Sequence, residues 1–552
     1  MVQLEIAPTS SADKRRETRR VVVAAALGTL FEWYDFFIYG SLAVFFGGLF
    51  FPKGNESAAI LASLATFGAG FVLRPFGAMF FGWIGDLIGR KRTFFVTMLI
   101  MGLATALVGV LPTFASIGWA APATLVALRL FQGLAIGGEF GGAVTYIAEH
   151  AEREQRGFLT SWLQITGTLG LLMSLALILL LRTVMTDVAF ASWGWRVPFL
   201  VSIVLLAWSL YIRSRLHESP VFVEMKAQGT RSTNPLRDTL GNVAGIRRVL
   251  AVIFGAVAGQ AVIWYTGHFY ALQFMTATLK MAPRSAYLYL TIALVLATPF
   301  FVIFGWLSDR IGRKPIMLAG CLLSAVFFIP LFHALAAYGN PALVEFRSKT
   351  SVVIEASDCR DEQTFIGHLF QPKATNPCTA ARAFFTAQSV PFTVVRGAQG
   401  LRITVNGKPV ANTQPNTLAA ALSDAGMPLS IDPARTNGVM VVATLFVIIF
   451  FATMVYGPLG AFLVEQFPAN IRYSGVSVAL QFGNGWIGGF APFVTTSIVL
   501  ATGDIFQGLF YTVVVAALTA VIGSLFIRDR RNVDIRNSRL TSDTRESSPA
   551  LN

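Results

Sequence analysis

Gly82-Trp-Ile-Gly85-Asp86-Leu-Ile-Gly89-Arg90-Lys91 recurs as Gly305-Trp-Leu-Ser308-Asp309-Arg-Ile-Gly312-Arg313-Lys314. Each copy closes one long apolar run and opens another, with a carboxylate and two or three cations crowded into the turn between them. The copies stand 223 positions apart, measured from Asp86 to Asp309. A second echo pairs Glu149 and Arg156 with Glu465 and Arg472, each seven residues apart, at an offset of 316. The chain therefore reads as two related halves, the second holding about 93 additional residues between its two echoes. Those residues are visible as a polar stretch from 339 to 437.

Outward from the turns, the composition says what surrounds the chain. Of 552 residues, 54% are hydrophobic and 13% charged, with a mean hydropathy of +0.62, whereas a soluble domain is about a quarter charged. The main solvent is lipid. A bilayer core about 30 Å thick takes roughly 20 apolar residues of helix. Such runs lie at 21–50, 57–83, 93–112, 122–148, 157–183 and 196–213, then at 249–278, 286–307, 315–338, 438–466, 474–501 and 507–527. Backbone polar groups cannot stay unpaired in hydrocarbon, and the runs lack the alternation of barrel strands, so they are helices. The expected fold is an all-α membrane protein: twelve transmembrane helices in two pseudosymmetric six-helix halves, with a small α+β insertion between helices nine and ten. The expected divisions are a tail (1–20), the first half (21–215), a linker (216–248), helices seven to nine (249–338), the inserted lobe (339–437), helices ten to twelve (438–528) and a second tail (529–552).

The formal charge of +14 raises nucleic-acid binding, but the excess sits beside helix ends rather than in one patch. It reads as topology. Lys14, Arg15, Arg16, Arg19 and Arg20, the two duplicated turns, the linker and the stretch from Arg528 are basic, whereas the alternate loops hold few cations. The positive-inside rule then places both termini and the linker in the cytoplasm and the lobe in the periplasm. The first apolar run is too long for a signal-peptide core and continues into Glu32 and Asp35, so it is expected to remain in the protein. Within the lobe, β-like runs at 351–355, 392–396 and 401–405, an Asn406-Gly407 turn and a short helix at 417–425 predict a small α+β unit. Two of the three cysteines, Cys359 and Cys378, fall there, where an oxidising compartment permits a disulfide; two free thiols are the alternative. The final stretch is polar, has no heptads and reads as disordered.

With its two halves and duplicated turn, the chain resembles the major facilitator superfamily over nearly all its length, the lobe excepted. Within it, FEWYDFFIYG (31–40), RPFGAMFFGWIGDLIGRKR (74–92) and RLFQGLAIGGEFGG (129–142) resemble the metabolite:proton symporter branch. Members of that branch take up shikimate, 2-oxoglutarate, citrate, other organic acids, proline or betaine. The resemblance implies that Asp86 meets the amino end of helix eleven near Tyr473, that Asp309 meets the start of helix five near Gly157, and that Arg90 and Arg313 pair with Glu149 and Glu465 or their neighbours. Together with Gly82, Gly85, Gly89, Gly312, Arg156 and Arg472 these residues would form a gate, closed when the cytoplasmic side is closed.

Ionisable groups inside apolar helices are costly and need a partner or a wet cavity. Asp35 and Arg129 are the preferred pair for proton coupling, with Glu32 and Glu139 as further candidates; a static ion pair is the competing reading. Arg74, before Pro75, is the candidate carboxylate anchor, its rival role being a pairing with Glu32 or Glu139. Trp264, Tyr265, His268 and Gln273 form a hydrogen-bonding aromatic stretch that reads as a binding wall or as an interfacial belt. Tyr34, Gln132, Gln164 and Gln481 complete the candidate binding set.

Other motifs carry no chemistry. Gly483, Gly485 and Gly488 match a dinucleotide fingerprint but lie in an apolar membrane run with no preceding strand. There is no Walker A pattern, and the five histidines are scattered without metal-ligand spacing. The expectation is a carrier, not an enzyme, without cofactor or metal. It would be a monomer in a bacterial inner membrane, moving a small organic acid or zwitterion with protons. Osmosensing compatible-solute transport and uncoupled facilitation on the same scaffold are the alternatives.

Overall fold

The computed structural model describes residues 11–52, 56–88, 90–214, 235–357, 359, 376–397, 400–428, 434–531, 533 and 535. Among them, eleven helices are long and apolar enough to cross a membrane, and a shorter apolar one stands third in order. In chain order they are α1 (Val22–Phe50), α2 (Ala59–Ile84), α3 (Phe95–Val110), α4 (Ala120–His150), α5 (Arg153–Val184) and α6 (Gly194–Tyr211), then α7 (Val243–Thr278), α8 (Pro283–Ile311), α9 (Arg313–Gly339), α10 (Gly438–Gln466), α11 (Arg472–Thr502) and α12 (Leu509–Phe526). The third is shorter because its helix, Arg90–Val110, begins with the cations of the duplicated turn, and only its later part is apolar.

Two boundaries differ from the hydropathy reading. The first helix extends back to Ser11, through a stretch of Ala, Lys, Arg and Glu that favours helix whatever its polarity. The seventh begins at Val243 rather than 249, because Asn242 caps it: its side chain accepts from Gly245 N at 2.7 Å. Linker residues 215–234, and the last residues from 536, lie outside the described part of the chain.

The halves meet along two seams, α5 against α8 and α2 against α11, with α4 packed on α11 and α10 on α5. One continuous apolar core runs through both. Two features place polar side chains at its centre. The α2 span breaks at Leu73 and restarts at Arg74-Pro75, since proline supplies no N–H to the preceding turn. On the facing α4, a Cβ on Gly133 or Gly137 would collide with the backbone oxygens of Gly70 and Arg74, so glycine there lets the two helices touch backbone to backbone. α7 carries three widened π turns, Ile253–Val257, Thr266–Tyr270 and Phe274–Thr278, and α11 one, Phe482–Gly488. Gly483 and Gly488 of that last turn press against Val257 and Ala261 of α7, which accounts for the glycine-rich string as helix packing.

Between α9 and α10 stands a lobe with its own core, including Ile354, Phe385, Ile403 and Leu418. Its sheet has the order β2-β1-β3-β4, from β1 (Val352–Ala356), β2 (Thr393–Arg396), β3 (Arg402–Val405) and β4 (Lys408–Pro409). β1 runs parallel to β2 and antiparallel to β3. Asn406 and Gly407, at φ 50° and 77°, make the tight β3–β4 turn, the left-handed pair that a two-residue hairpin loop requires. The lobe rests on both halves. Its helix Pro377–Ala387 touches α2 and α11, Arg382 donates to Ala501 O at 3.0 Å, and Ser389 donates to Thr278 O at 2.9 Å.

Cys359 and Cys378 are joined in a disulfide with a sequence separation of 19. Closing a loop of that length stabilises by about 3 kcal/mol. Cys378→Ser is therefore expected to lower the unfolding midpoint of the lobe, and reductant to reproduce the shift in the parent protein but not in the variant. Unfolding followed with and without reductant measures both; equal midpoints in all four samples would remove the disulfide from the lobe's stability.

Candidate functional site

At the end of the bundle where the duplicated turns lie, the halves are tied by crossed ion pairs. Arg156 of α5 meets Glu465 of α10 at 3.0 Å, and Arg472 of α11 meets Glu149 of α4 at 3.2 Å. The 316-residue offset maps one pair onto the other. Arg313 joins Glu465 at 3.1 Å and Asp309 at 2.8 Å. Asp309 in turn accepts from the backbone N–H groups of Gly157 and Phe158, both at 2.8 Å. These amides begin α5, where unpaired donors and the helix dipole favour a negative charge. Tyr473 donates its hydroxyl to Gly138 O. Glu149 thus pairs with Arg472, and Gly312 makes the positive-φ turn (104°) between α8 and α9. Gly89 and the side chains of Asp86 and Arg90 lie outside the described residues, and Gly85 is described only as part of its helix.

Further in, α1, α2 and α4 pack around two fully buried arginines, Arg74 and Arg129. Arg74 has no hydrogen-bond partner on Nε, Nη1 or Nη2. Its guanidinium lies 4.1 Å from the Phe36 ring centre, 4.2 Å from that of Phe71 and 5.5 Å from that of Trp33. The phenols of Tyr265 and Tyr456 are polar groups that face it. The pairing with Glu32 or Glu139 is absent, although both acids are buried. Cation–π contact offsets part of the cost of burial, about 2 kcal/mol when desolvated, and leaves the N–H groups unmet.

Arg129 does not pair with Asp35, contrary to the sequence expectation. Its Nη1 donates to Phe36 O at 3.2 Å and to Gln132 Oε1 at 2.6 Å, and Gln132 Nε2 continues to Thr105. Nε and Nη2 have no partner. Successive residues of a helix point about 100° apart, so Phe36 and Tyr39 face the arginines while Asp35 turns towards Ser202 of α6. Tyr34 also faces α6, its hydroxyl donating to Pro198 O at 2.7 Å, and is not among the rings against the two arginines. One carboxyl oxygen of Asp35 is buried without a hydrogen-bond partner.

The α7 aromatics are buried among helices rather than ranged along a lipid-facing rim. Trp264 stacks on His268 with ring centres 4.2 Å apart and lies 5.0 Å from Phe37 of α1. His268 Nδ1 donates to Trp264 O at 2.7 Å, leaving Nε2 towards the Thr168 hydroxyl at 3.5 Å; the first bond fixes the neutral tautomer because a carbonyl only accepts. Gln273 binds Thr496 at 2.6 Å. Gln481 donates to Ile136 O and Gly137 O, both at 3.3 Å. Its counterpart Gln164 faces Gly460 with both amide atoms unpartnered.

A cavity of about 130 Å³ opens towards the lobe end, lined by Gly40, Phe45, Arg182, Phe269, Gln273 and Tyr287 among others. Phe67 and Phe269, 5.0 Å apart, close its floor, and Phe71 beneath them carries Arg74. The rings of Phe36, Phe71 and Tyr456 were not singled out from sequence, where one phenylalanine among 47 gives no sign of facing a cation. Among the described residues no three His, Cys, Asp or Glu side chains gather as a metal site.

Residues 21–344 match the family model described as sugar (and other) transporter. The chain is 37% identical over 326 residues to the shikimate transporter of Escherichia coli (strain K12), covering 58% of this chain and 73% of that one. It is 34% identical over 335 residues to the alpha-ketoglutarate permease of the same organism, covering 60% and 75%. Its fold is similar to that of a proton:xylose symporter of the major facilitator superfamily bound to 6-bromo-6-deoxy-D-glucose. There the TM-score is 0.61 at 15% identity, covering 95% of this chain and 99% of that one.

Proposed function

From the chain's membership of the sugar (and other) transporter family, for it belongs to that family of the major facilitator superfamily, we propose that it is a proton-coupled symporter importing a small carboxylate-bearing metabolite by alternating access. The observation that carries this reading is Arg74, a buried guanidinium held in an aromatic cage with no hydrogen-bond partner. A guanidinium is the planar, two-pronged complement of a carboxylate, and a cargo without an anion would leave it unmet. Twelve crossings, cytoplasmic termini and a periplasmic lobe belong to the same reading. It places the protein in a bacterial inner membrane as a monomer, with the crossed ion pairs on the cytoplasmic side.

In this arrangement the cytoplasmic gate is shut and the cavity beneath the lobe is the entrance, closed below by Phe67 and Phe269. Asp35 is the proton carrier. When Arg129 turns to the cargo, Asp35 is left buried without a cation and takes a proton; when the cargo leaves, Arg129 returns and displaces it. The described state, with Arg129 turned away, is the loaded-proton half of that cycle. Glu32 and Glu139 are the next acids along the same path. The gate opens by separating Arg156 from Glu465 and Arg472 from Glu149 as the halves rock.

The separation of Asp35 from Arg129 also suits an uncoupled facilitator, and one experiment divides the two readings. In proteoliposomes with an imposed pH difference, Asp35→Asn is expected to abolish uphill uptake while retaining counterflow exchange. Uphill uptake that survives the substitution would move the coupling away from Asp35. An osmosensing betaine carrier would instead respond to osmolality and take up zwitterions in preference to acids.

A further inference from the structure

Arg74 and Arg129 share one aromatic ring. Their guanidinium carbons lie 4.1 Å and 4.3 Å from the centre of Phe36, which brings two like charges together, with the phenols of Tyr39, Tyr265 and Tyr456 and the Gln132 amide among the polar groups around them. All five N–H groups of Arg74 and the three on Nε and Nη2 of Arg129 are without partners. We infer that Arg129 is a second anion-binding group and that the cargo is a short dicarboxylate, one carboxylate meeting each guanidinium. The inference rests on the carboxylate-carrier reading above and narrows it.

Donor counting and charge lead to the same place. One carboxylate offers about four acceptor positions, so a monoacid can saturate one fork and leaves the other arginine a buried cation without an anion. A second carboxylate removes both the unmet donors and the repulsion between two like charges set against one ring. Gln132 and Phe36 O hold Arg129 by Nη1 alone, so Nε and Nη2 remain as the pair of parallel donors a carboxylate binds. The close α2–α4 contact at Gly133 and Gly137 sets the distance between the two forks. Because that distance is built from backbone contact, it selects the length of the diacid. The aromatic walls from Phe71, Tyr265 and Trp33 suit an aliphatic connector. Zwitterions fit worse: their ammonium would stand beside one guanidinium.

The test compares diacids with monoacids of equal length on the full-length protein in proteoliposomes. Succinate and glutarate compete against butyrate and valerate for uptake, and the same compounds are added in thermal unfolding of the purified protein. Diacids are expected to compete at least about tenfold better, and Arg129→Gln to bring the ratio close to one. Should that variant fail to fold, Arg129→Lys, which keeps the charge and loses the fork, gives the second measurement. Equal competition by monoacids and diacids in the parent protein overturns the second anchor and leaves the carboxylate reading standing. Betaine competing while no acid does so overturns both.

Discussion

Arg74→Gln is expected to lower carboxylate uptake at least about 100-fold while leaving the empty protein as stable as its parent, or more so. The first half follows from charge-assisted hydrogen bonds, each about 1.5–3 kcal/mol, two of which are lost together when the fork is removed. That corresponds to roughly 10² to 10⁴ in affinity. The second half follows from what Arg74 lacks in the empty state. Removing a partner from an ion pair destabilises by about 3–5 kcal/mol, but removing an unpaired buried cation strands nothing. With no hydrogen bond to lose, the variant gives up ring contacts and sheds a desolvated charge. Thermal unfolding with and without carboxylate separates the two effects. A binding residue gives an unchanged midpoint and a lost ligand shift. A residue that merely holds helices together gives a lowered midpoint, and that outcome would end the anchor role.

Architecture was readable from the sequence because it rests on redundant signals. The duplicated turn, the second echo and the difference between their offsets located the two halves and the lobe without any contact information. Even the lobe's hairpin was visible, since Asn-Gly is the residue pair that a left-handed turn demands. The surroundings of the buried arginines were readable only in part. Intramembrane charge marks Arg74, Arg129 and Asp35 as unusual at any depth, but partners depend on which way a side chain points. Asp35 and Phe36 are neighbours in sequence and face different helices, so choosing Asp35 as the partner of Arg129 required a rotation about α1 that hydropathy does not encode. Tyr34 was misplaced for the same reason. The gate residues were easier to find, because pseudosymmetry says which are equivalent, but it does not say which of them meet, and the expected partners of Glu149 and Glu465 were Arg90 and Arg313 rather than arginines of the opposite half in crossed pairs. Arg156 with Glu465 and Arg472 with Glu149 are such pairs. No equivalent exists for the aromatic cage, whose phenylalanines differ from any other core phenylalanine only by facing a cation.

Those crossed pairs make the second large effect a conformational one. Glu465→Gln is expected to open the gate end of the bundle rather than to unfold the protein. Glu465 Oε1 accepts from Arg156 at 3.0 Å and Arg313 at 3.1 Å, and all three side chains are buried. Amidation leaves Arg156 without a counter-ion in the closed arrangement and Arg313 with Asp309 alone, at 2.8 Å, a cost of about 3–5 kcal/mol. In the open arrangement water reaches these groups and little is lost. The closed-to-open ratio therefore shifts by roughly 10² to 10³ or more. Glu149→Gln, acting on the symmetry-related pair, is expected to shift it in the same direction but less, because Arg472 keeps its bonds to the Val464 and Phe467 carbonyls. Ser161, buried at the α5–α8 seam against Gly305, reports the change. With Ser161→Cys as the reporter, maleimide labelling is expected to accelerate more than about tenfold in Glu465→Gln, and by a smaller factor in Glu149→Gln. Uptake should fall in both, since a carrier held open at one end cannot return. If labelling stays at the parent rate while uptake is lost, the ion pairs are structural supports, and the gate must lie elsewhere along the seam.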